Sequence, residues 1–239
     1  MSSVDTVSLQ ELWDRVVGTQ PDPPSWLALV TGAVAVVVVL YRPTWRPLRT
    51  IVTIAHEGGH AMVALLSGRR LSGIRLHSDT SGVTVSVGKP TGLGMVLTAA
   101  AGYITPSLLG AGGAALLAGS HITMVLWVAL LFLALMFIAI RNWFGAFVLL
   151  LTGGVIFAIS WLAGARIQAA FAYLLVWFLL VAGTRPVVEL QQMRSRGRAP
   201  WSDADQLADL TRVPGAVWVG FFGLVSATAL GIGAGSLLT

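Results

Sequence analysis

The chain has 239 residues, of which 56% are hydrophobic and only 10% are charged, with a formal net charge of +5. This composition excludes a soluble globular domain and indicates a polytopic membrane protein. The absence of cysteine excludes disulfides and thiolate metal sites, and arginines placed between apolar runs indicate membrane topology rather than nucleic-acid binding.

Residues 1–24 form a polar N-terminal segment that precedes the first apolar run. Within residues 5–18, large apolar residues recur on one face of a helix, which predicts a short amphipathic helix lying on the membrane or capping the bundle. These residues are Leu9, Leu12, Trp13, Val16 and Val17. The segment lacks the basic start of a signal peptide, so we expect the first apolar span to be retained as an anchor.

The rest of the chain, 25–239, is predicted to form a single transmembrane domain. Its apolar runs predict an all-α polytopic membrane protein with about seven transmembrane helices and a short β-hairpin after the second. The predicted spans cover about residues 25–41, 50–68, 92–118, 121–140, 143–163, 167–183 and 215–237. An arginine-rich stretch over residues 184–200 is predicted as a basic loop.

Three ionisable side chains interrupt the second apolar run, in the sequence His56-Glu57-Gly58-Gly59-His60. Such groups are costly within a bilayer and usually functional. Two histidines four residues apart lie on one face of a helix and can bind one Zn²⁺, with the intervening glutamate beside the metal-bound water. The motif predicts the catalytic helix of a membrane-embedded metalloprotease. The alternative is a hydrogen-bonded cluster in the bundle core without a metal.

The hairpin is predicted over residues 71–88, where apolar and polar residues alternate on either side of a polar turn. An edge strand at this position could pair with an extended peptide, and Val83 and Val85 are the candidate substrate-binding residues. The pattern alone favours an ordinary exposed hairpin equally.

Membrane orientation follows from the positions of the basic residues. With the N-terminus in the cytoplasm, eleven basic residues fall inside and four fall outside, so the positive-inside rule favours this orientation. The four outside residues are Arg42, Arg46, Arg49 and Arg166. His60 would then lie roughly 12 Å from the cytoplasmic end of its helix, at 1.5 Å per residue.

Several motifs over about residues 50–237 resemble one family. HEGGHA within a membrane helix, the hairpin that follows, and AGYITPSLLG resemble the site-2 protease class of intramembrane zinc metallopeptidases. The later RNWFG and SDADQLADLTRVPGAVW are similar to its compact bacterial, peptidase-B-like branch. The resemblance implies that zinc is held by His56, His60 and one aspartate. It also implies that Glu57 is the general base and that the hairpin holds the substrate as a strand.

The third zinc ligand departs from the pattern of the class, because no LDG or NPDG-like motif is present. We favour Asp203, which heads the SDA motif, with Asp205 as the close alternative and Asp209 as the remaining aspartate after the hairpin. The competing explanation for all three is a solvated helix start, where aspartate suits the helix dipole.

The sequence therefore predicts a zinc metalloendopeptidase of a bacterial plasma membrane. We expect it to cleave membrane-protein substrates in or near a transmembrane helix, in contact with the lipid bilayer and without nucleic acid. The alternatives are a non-catalytic metal-binding membrane protein, a pseudoprotease that binds substrate helices, and a transporter. A transporter is disfavoured because the two halves of the chain show no pseudo-repeat.

Overall fold

The computed structural model describes residues 9–198 and 201–239, and its secondary structure is dominated by helices. Residues 5–8 of the predicted N-terminal helix lie outside the described part. The helices are α1 (Leu9–Val17), α2 (Ser25–Leu40), α3 (Arg42–Leu66), α4 (Leu93–Ala118), α5 (Ile122–Ala139), α6 (Trp143–Leu162), α7 (Ala165–Ala182), α8 (Arg185–Ser195), α9 (Asp203–Thr211) and α10 (Gly215–Leu238). Between α3 and α4 lies a hairpin of β1 (Arg70–Leu76) and β2 (Gly82–Val87). The predicted fold class is confirmed.

A sharp bend separates α2 from α3. Tyr41 is extended, so α2 ends there, and a proline in the first turn of α3 starts a new helix at an angle of 100°. Two carbonyl groups at the end of α2 accept hydrogen bonds from side chains of α3 and α8. Thr44 Oγ1 donates to Val38 O at 2.8 Å, and an Arg185 guanidinium nitrogen donates to Val39 O.

Within the described residues, five helices are long and apolar enough to cross a membrane, or six if the bent pair α2–α3 counts as one span. The sequence predicted about seven, because the bend gives two apolar runs that look like separate spans. A second difference lies in 184–200. Most of this predicted loop is helix α8, which extends α7 into one span over Ala165–Ser195.

Helix α4 lies at the centre of the bundle and packs against α3, α7, α9 and α10. Its close approach to α7 depends on glycine, because a Cβ at Gly110 would lie 2.9 Å from the backbone nitrogen of Leu180. A smaller apolar cluster joins α4, α8, α9 and α10 through Leu190, Leu207 and Phe222, which are almost fully buried. This cluster fixes the short helix α9 beside α4.

The bundle has two chemically different ends. The N-terminal end holds α1 and the α4–α5 connection, where Gln20 N donates to Ser120 O at 2.9 Å. The hairpin end holds β1, β2 and the α5–α6 connection, where Arg141 N donates to Ile74 O at 2.8 Å. Helix α2 begins at the N-terminal end and α3 leads into the hairpin, so the bent pair crosses the bundle once.

This single crossing redistributes the basic residues. Of the 15 lysines and arginines, only Arg15 and Arg166 lie at the N-terminal end, which leaves 13 at the hairpin end. Arg42, Arg46 and Arg49, which the sequence count assigned to the opposite side, line one cavity together with arginines in and directly after α8. The count of eleven against four assumed two full crossings where the structure has one.

The predicted hairpin is present as two antiparallel strands, with a bulge between Leu71 and Gly73. The outer edge of β1 is covered by the α5–α6 connection, since Asn142 accepts from Leu76 N and donates to Leu76 O. In the described part of the chain, no strand pairs with the outer edge of β2.

Candidate metal centre and active site

Helix α3 carries His56, Glu57 and His60 into the interior of the bundle. The two glycines between them allow neighbouring helices to approach closely. A Cβ at Gly58 would collide with Phe132 of α5, and one at Gly59 would collide with Thr105 of α4. Close helix packing in lipid favours such small residues despite their poor helix propensity.

Three potential metal-ligand atoms converge at this point. His56 Nε2 and His60 Nε2 lie 3.1 Å apart, and Asp203 Oδ2 lies 3.3 Å from the first and 3.2 Å from the second. The structure therefore brings together the two histidines and the aspartate that the sequence favoured. Their role as ligands stays a prediction.

Hydrogen bonding fixes the protonation pattern of one ring. His60 Nδ1 lies 2.7 Å from Thr98 O, and because a carbonyl only accepts, Nδ1 carries the hydrogen. In the neutral imidazole, Nε2 then carries a lone pair, which points towards His56 Nε2 and Asp203 Oδ2. Partners of this kind orient the histidine ligands of metal sites.

The triad fits a single tetrahedral divalent ion. Ligand atoms about 2.0–2.1 Å from a tetrahedral zinc lie about 3.3 Å from one another, close to the three separations observed. Asp203 Oδ2 is buried and has no hydrogen-bond partner in the described residues, although two imidazole nitrogens lie nearby. A cation between these atoms would satisfy a carboxylate oxygen that is otherwise costly to bury. Glycine at 102 leaves the space, because a Cβ there would collide with both rings.

The position of Asp203 depends on how α9 begins. Ser202 caps this helix in a reciprocal capping box with Asp205, and an Arg194 guanidinium from α8 binds both residues. Partial burial of Asp205 opposes ionisation, but hydrogen bonds from Arg194 and Ser202 outweigh it and hold its pKa below the ordinary value. Asp205 is thus engaged in the cap, and Asp209 is exposed.

Glu57 is 4% exposed and lies against the hairpin. Thr84 Oγ1 donates to Glu57 Oε2 at 2.7 Å, and no described residue donates to Oε1. Gly82 allows the strand to approach, because a Cβ there would lie 2.6 Å from Glu57 Cγ. Val83 and Val85 point away from Glu57 and are about half exposed, so the structure brings the intervening Thr84 rather than the valines to the site.

Sequence reasoning missed three residues around the site. Thr84 could have been found, because alternation in β2 places it on the face opposite the valines. Tyr103 lies within the AGYITPS motif, and its ring meets His56 edge-on at 4.8 Å and stacks on Phe222 at 5.1 Å. Thr98 contributes only its carbonyl oxygen, for which side-chain patterns carry no signal.

Comparison with known proteins gives one match. A family model described as Peptidase M50B-like matches residues 29–233, which is most of the chain. No curated protein and no solved structure matches it. The family match confirms the resemblance indicated by the sequence motifs.

Proposed function

The chain belongs to the Peptidase M50B-like family, and from this premise we propose that it is an intramembrane zinc metalloprotease. It hydrolyses peptide bonds in or near transmembrane segments of membrane proteins. The observation that carries the proposal is the convergence of His56 Nε2, His60 Nε2 and Asp203 Oδ2. The two histidines lie on the same turns of α3 as Glu57.

In this proposal, His56, His60 and Asp203 would hold zinc, which would supply a Lewis acid for polarising a carbonyl and for making water more acidic. Glu57 Oε1 takes a proton from the attacking water and returns it to the nitrogen of the leaving amine. The hydrogen bond from Thr84 to Oε2 orients the carboxylate, so that Oε1 remains available as the base.

Substrate binding is assigned to the free edge of β2. A substrate helix must unwind before cleavage, because its carbonyls are already hydrogen-bonded within the helix. Pairing with the main chain of β2 would replace those hydrogen bonds and bring the extended segment past Gly82 and Thr84, which contact Glu57. Val83 and Val85 would then define the strand edge through their backbone.

The protein is proposed to lie in a bacterial plasma membrane with its hairpin end in the cytoplasm. Thirteen of the 15 basic residues lie at that end, which the positive-inside rule favours. The active site stays in the cytoplasmic half, as the sequence predicted, whereas the N-terminus moves to the opposite side.

Single cysteines introduced at Arg15 and Arg198 of this cysteine-free chain test the assignment. An impermeant maleimide added to intact cells should label only the first, and exclusive labelling of the second would reverse the orientation.

The function is tested by cleavage of a panel of single-span model substrates in bicelles. We expect cleavage to stop when zinc is removed with a chelator and to return when zinc is added back. A zinc-loaded protein that binds the panel but cuts no member would instead support the alternative, a non-catalytic metal-binding protein or pseudoprotease.

A further inference from the structure

A cavity of about 770 Å³ opens at the hairpin end, beside the metal triad but separate from it. Its walls are the first turns of α3, the hairpin turn and the C-terminal part of α8 with the residues that follow. Six arginines line it: Arg42, Arg46, Arg49, Arg185, Arg196 and Arg198.

The two acidic residues of the lining offset only part of this charge and leave a formal excess of four positive charges. Glu189 is already engaged, because it accepts from Arg185 Nε and Trp45 Nε1, both at 3.0 Å, and lies 3.5 Å from Arg49 Nη2. Asp79 accepts from the backbone nitrogen and the hydroxyl of Ser81.

The remaining four arginines of the cavity have no carboxylate within ion-pair distance among the residues that the structure describes. They are Arg42, Arg46, Arg196 and Arg198. All four are exposed, so their guanidinium groups can reach a ligand from solvent. Guanidinium forks bind carboxylates in a bidentate manner, and several in one concave site focus their field on an anion.

The cavity is continuous with the wall of the candidate active site. Thr53 Oγ1 donates to Thr80 O at 2.7 Å and ties the hairpin turn to α3. Thr50 lines the cavity six residues before His56, about 9 Å along the helix axis. The same turn leads into β2, whose Gly82 and Thr84 contact Glu57.

A peptide paired with β2 at Glu57 therefore reaches the cavity after a short distance. Between Thr84 and the turn at Thr80 the strand covers about 13 Å, at roughly 3.3 Å per residue. A residue about three to five positions from the scissile bond would lie among the arginines.

We propose that this cavity is a specificity site that binds aspartate or glutamate side chains of the substrate, three to five residues from the bond that is cut. The inference rests on the proposed function. We expect the cavity to repel basic substrates as well as to attract acidic ones. The cytoplasmic flanks of membrane helices are usually rich in lysine and arginine, so most of them would be repelled. Ordinary membrane proteins would be repelled by the cavity, and a helix with an acidic flank would be selected.

Binding tests the proposal without requiring turnover. Zinc-loaded Glu57→Gln protein in zwitterionic bicelles is titrated with labelled single-span peptides that carry three glutamates, glutamines or lysines in the flank. We expect the glutamate peptide to bind on the order of tenfold more tightly than the glutamine peptide, as a few partly screened ion pairs allow. The lysine peptide should bind more weakly than both.

Variants locate the effect. Replacing the four arginines without a carboxylate partner by glutamine should abolish the preference, and replacing them by lysine should retain most of it. Arg166→Gln removes one positive charge at the other end of the bundle and should leave the preference unchanged. If the glutamine variant does not fold, Arg42→Gln combined with Arg196→Gln should reduce the preference about threefold.

Equal binding of the glutamate and glutamine peptides would overturn the proposal. The titration is repeated in bicelles with added phosphatidylglycerol. Peptide affinity that follows the phosphatidylglycerol content regardless of the flank would also overturn the proposal, since the cavity would then be a lipid site. Cleavage by the unmodified protein separates the two proposals. Cleavage without flank preference rejects the specificity site alone, whereas flank-dependent binding without any cleavage rejects the protease function alone.

Discussion

The two ends of the bundle differ in how their buried polar side chains are partnered. At the N-terminal end, Gln20 donates to Thr123 Oγ1 at 2.8 Å and accepts from Thr123 N at 3.0 Å, and His121 Nδ1 donates to Val17 O. Each of these side chains has hydrogen-bond partners within this end of the bundle. At the hairpin end, two imidazoles and a carboxylate point their acceptor atoms at a common centre. The first arrangement stabilises the fold, whereas we propose that the second is completed by a bound metal ion.

The sharpest test of this contrast is Glu57→Gln at the hairpin end. The amide keeps the size of the side chain but cannot act as a base, so cleavage should fall by about 10²–10⁴-fold. Zinc content should be unchanged, because Glu57 is not one of the three converging residues. Asp209→Asn, an exposed change of the same kind, serves as the control. Cleavage of the model substrates at the original rate would remove Glu57 from the mechanism.

Zinc affinity distinguishes the two aspartates of α9 that the sequence left open. Asp203→Asn should weaken zinc binding by at least about 100-fold, because an amide oxygen is a poor zinc ligand beside two imidazoles. Asp205→Asn should have a smaller effect, since Asp205 serves the helix cap. Competition with a fluorescent zinc chelator measures both constants. A larger loss for Asp205→Asn would exchange their roles.

Arg194→Gln tests whether the cap of α9 positions the carboxylate ligand. Without the guanidinium, Ser202 and Asp205 lose their link to α8, and Asp203 should sample positions away from the histidines. We expect zinc affinity to fall by about tenfold, within the range for residues that orient ligands. Arg194→Lys should restore part of it. An unchanged affinity would show that apolar packing alone holds α9.

The smallest functional effect is expected at the N-terminal end. Thr123→Val removes a hydroxyl that Gln20 and the carbonyl of Arg15 use, and should cost about 1–3 kcal/mol of stability. Thermal unfolding in detergent measures the loss. Zinc affinity and the cleavage rate of the folded protein should match those of the unmodified chain, and a drop in either would contradict the separation of the two ends.

The two ends of α3 differ in how well the sequence predicts them. The candidate site residues His56, Glu57 and His60 could be found from the sequence, because metal coordination on a helix requires a fixed spacing. The bend at Tyr41 was not, because hydropathy records two apolar runs and not the angle between them. That angle brings Arg42, Arg46 and Arg49 close to the arginines in and after α8. It also places the N-terminus on the side of the membrane opposite to the one inferred from the sequence.

The third ligand shows a second limit of sequence reasoning. Asp203 was favoured by resemblance, but its approach to the histidines depends on tertiary contacts of α9. The burial of Leu207 against α4, α8 and α10, and the link from Arg194, place the carboxylate beside His56 and His60. The local sequence pattern predicts a capped helix at Ser202, but it does so equally for a helix that offers a zinc ligand and for one exposed to solvent. Only the packing of α9 in the bundle separates these two interpretations.

The proposed metal centre consists of one divalent ion held by His56, His60 and Asp203. Anomalous scattering at the zinc absorption edge, from crystals of the zinc-loaded protein, tests it most directly. We expect a single strong peak in the bundle interior, within about 2.2 Å of His56 Nε2, His60 Nε2 and an Asp203 carboxylate oxygen. A peak bound by other residues, or none in a protein that still cleaves its substrates, would contradict it.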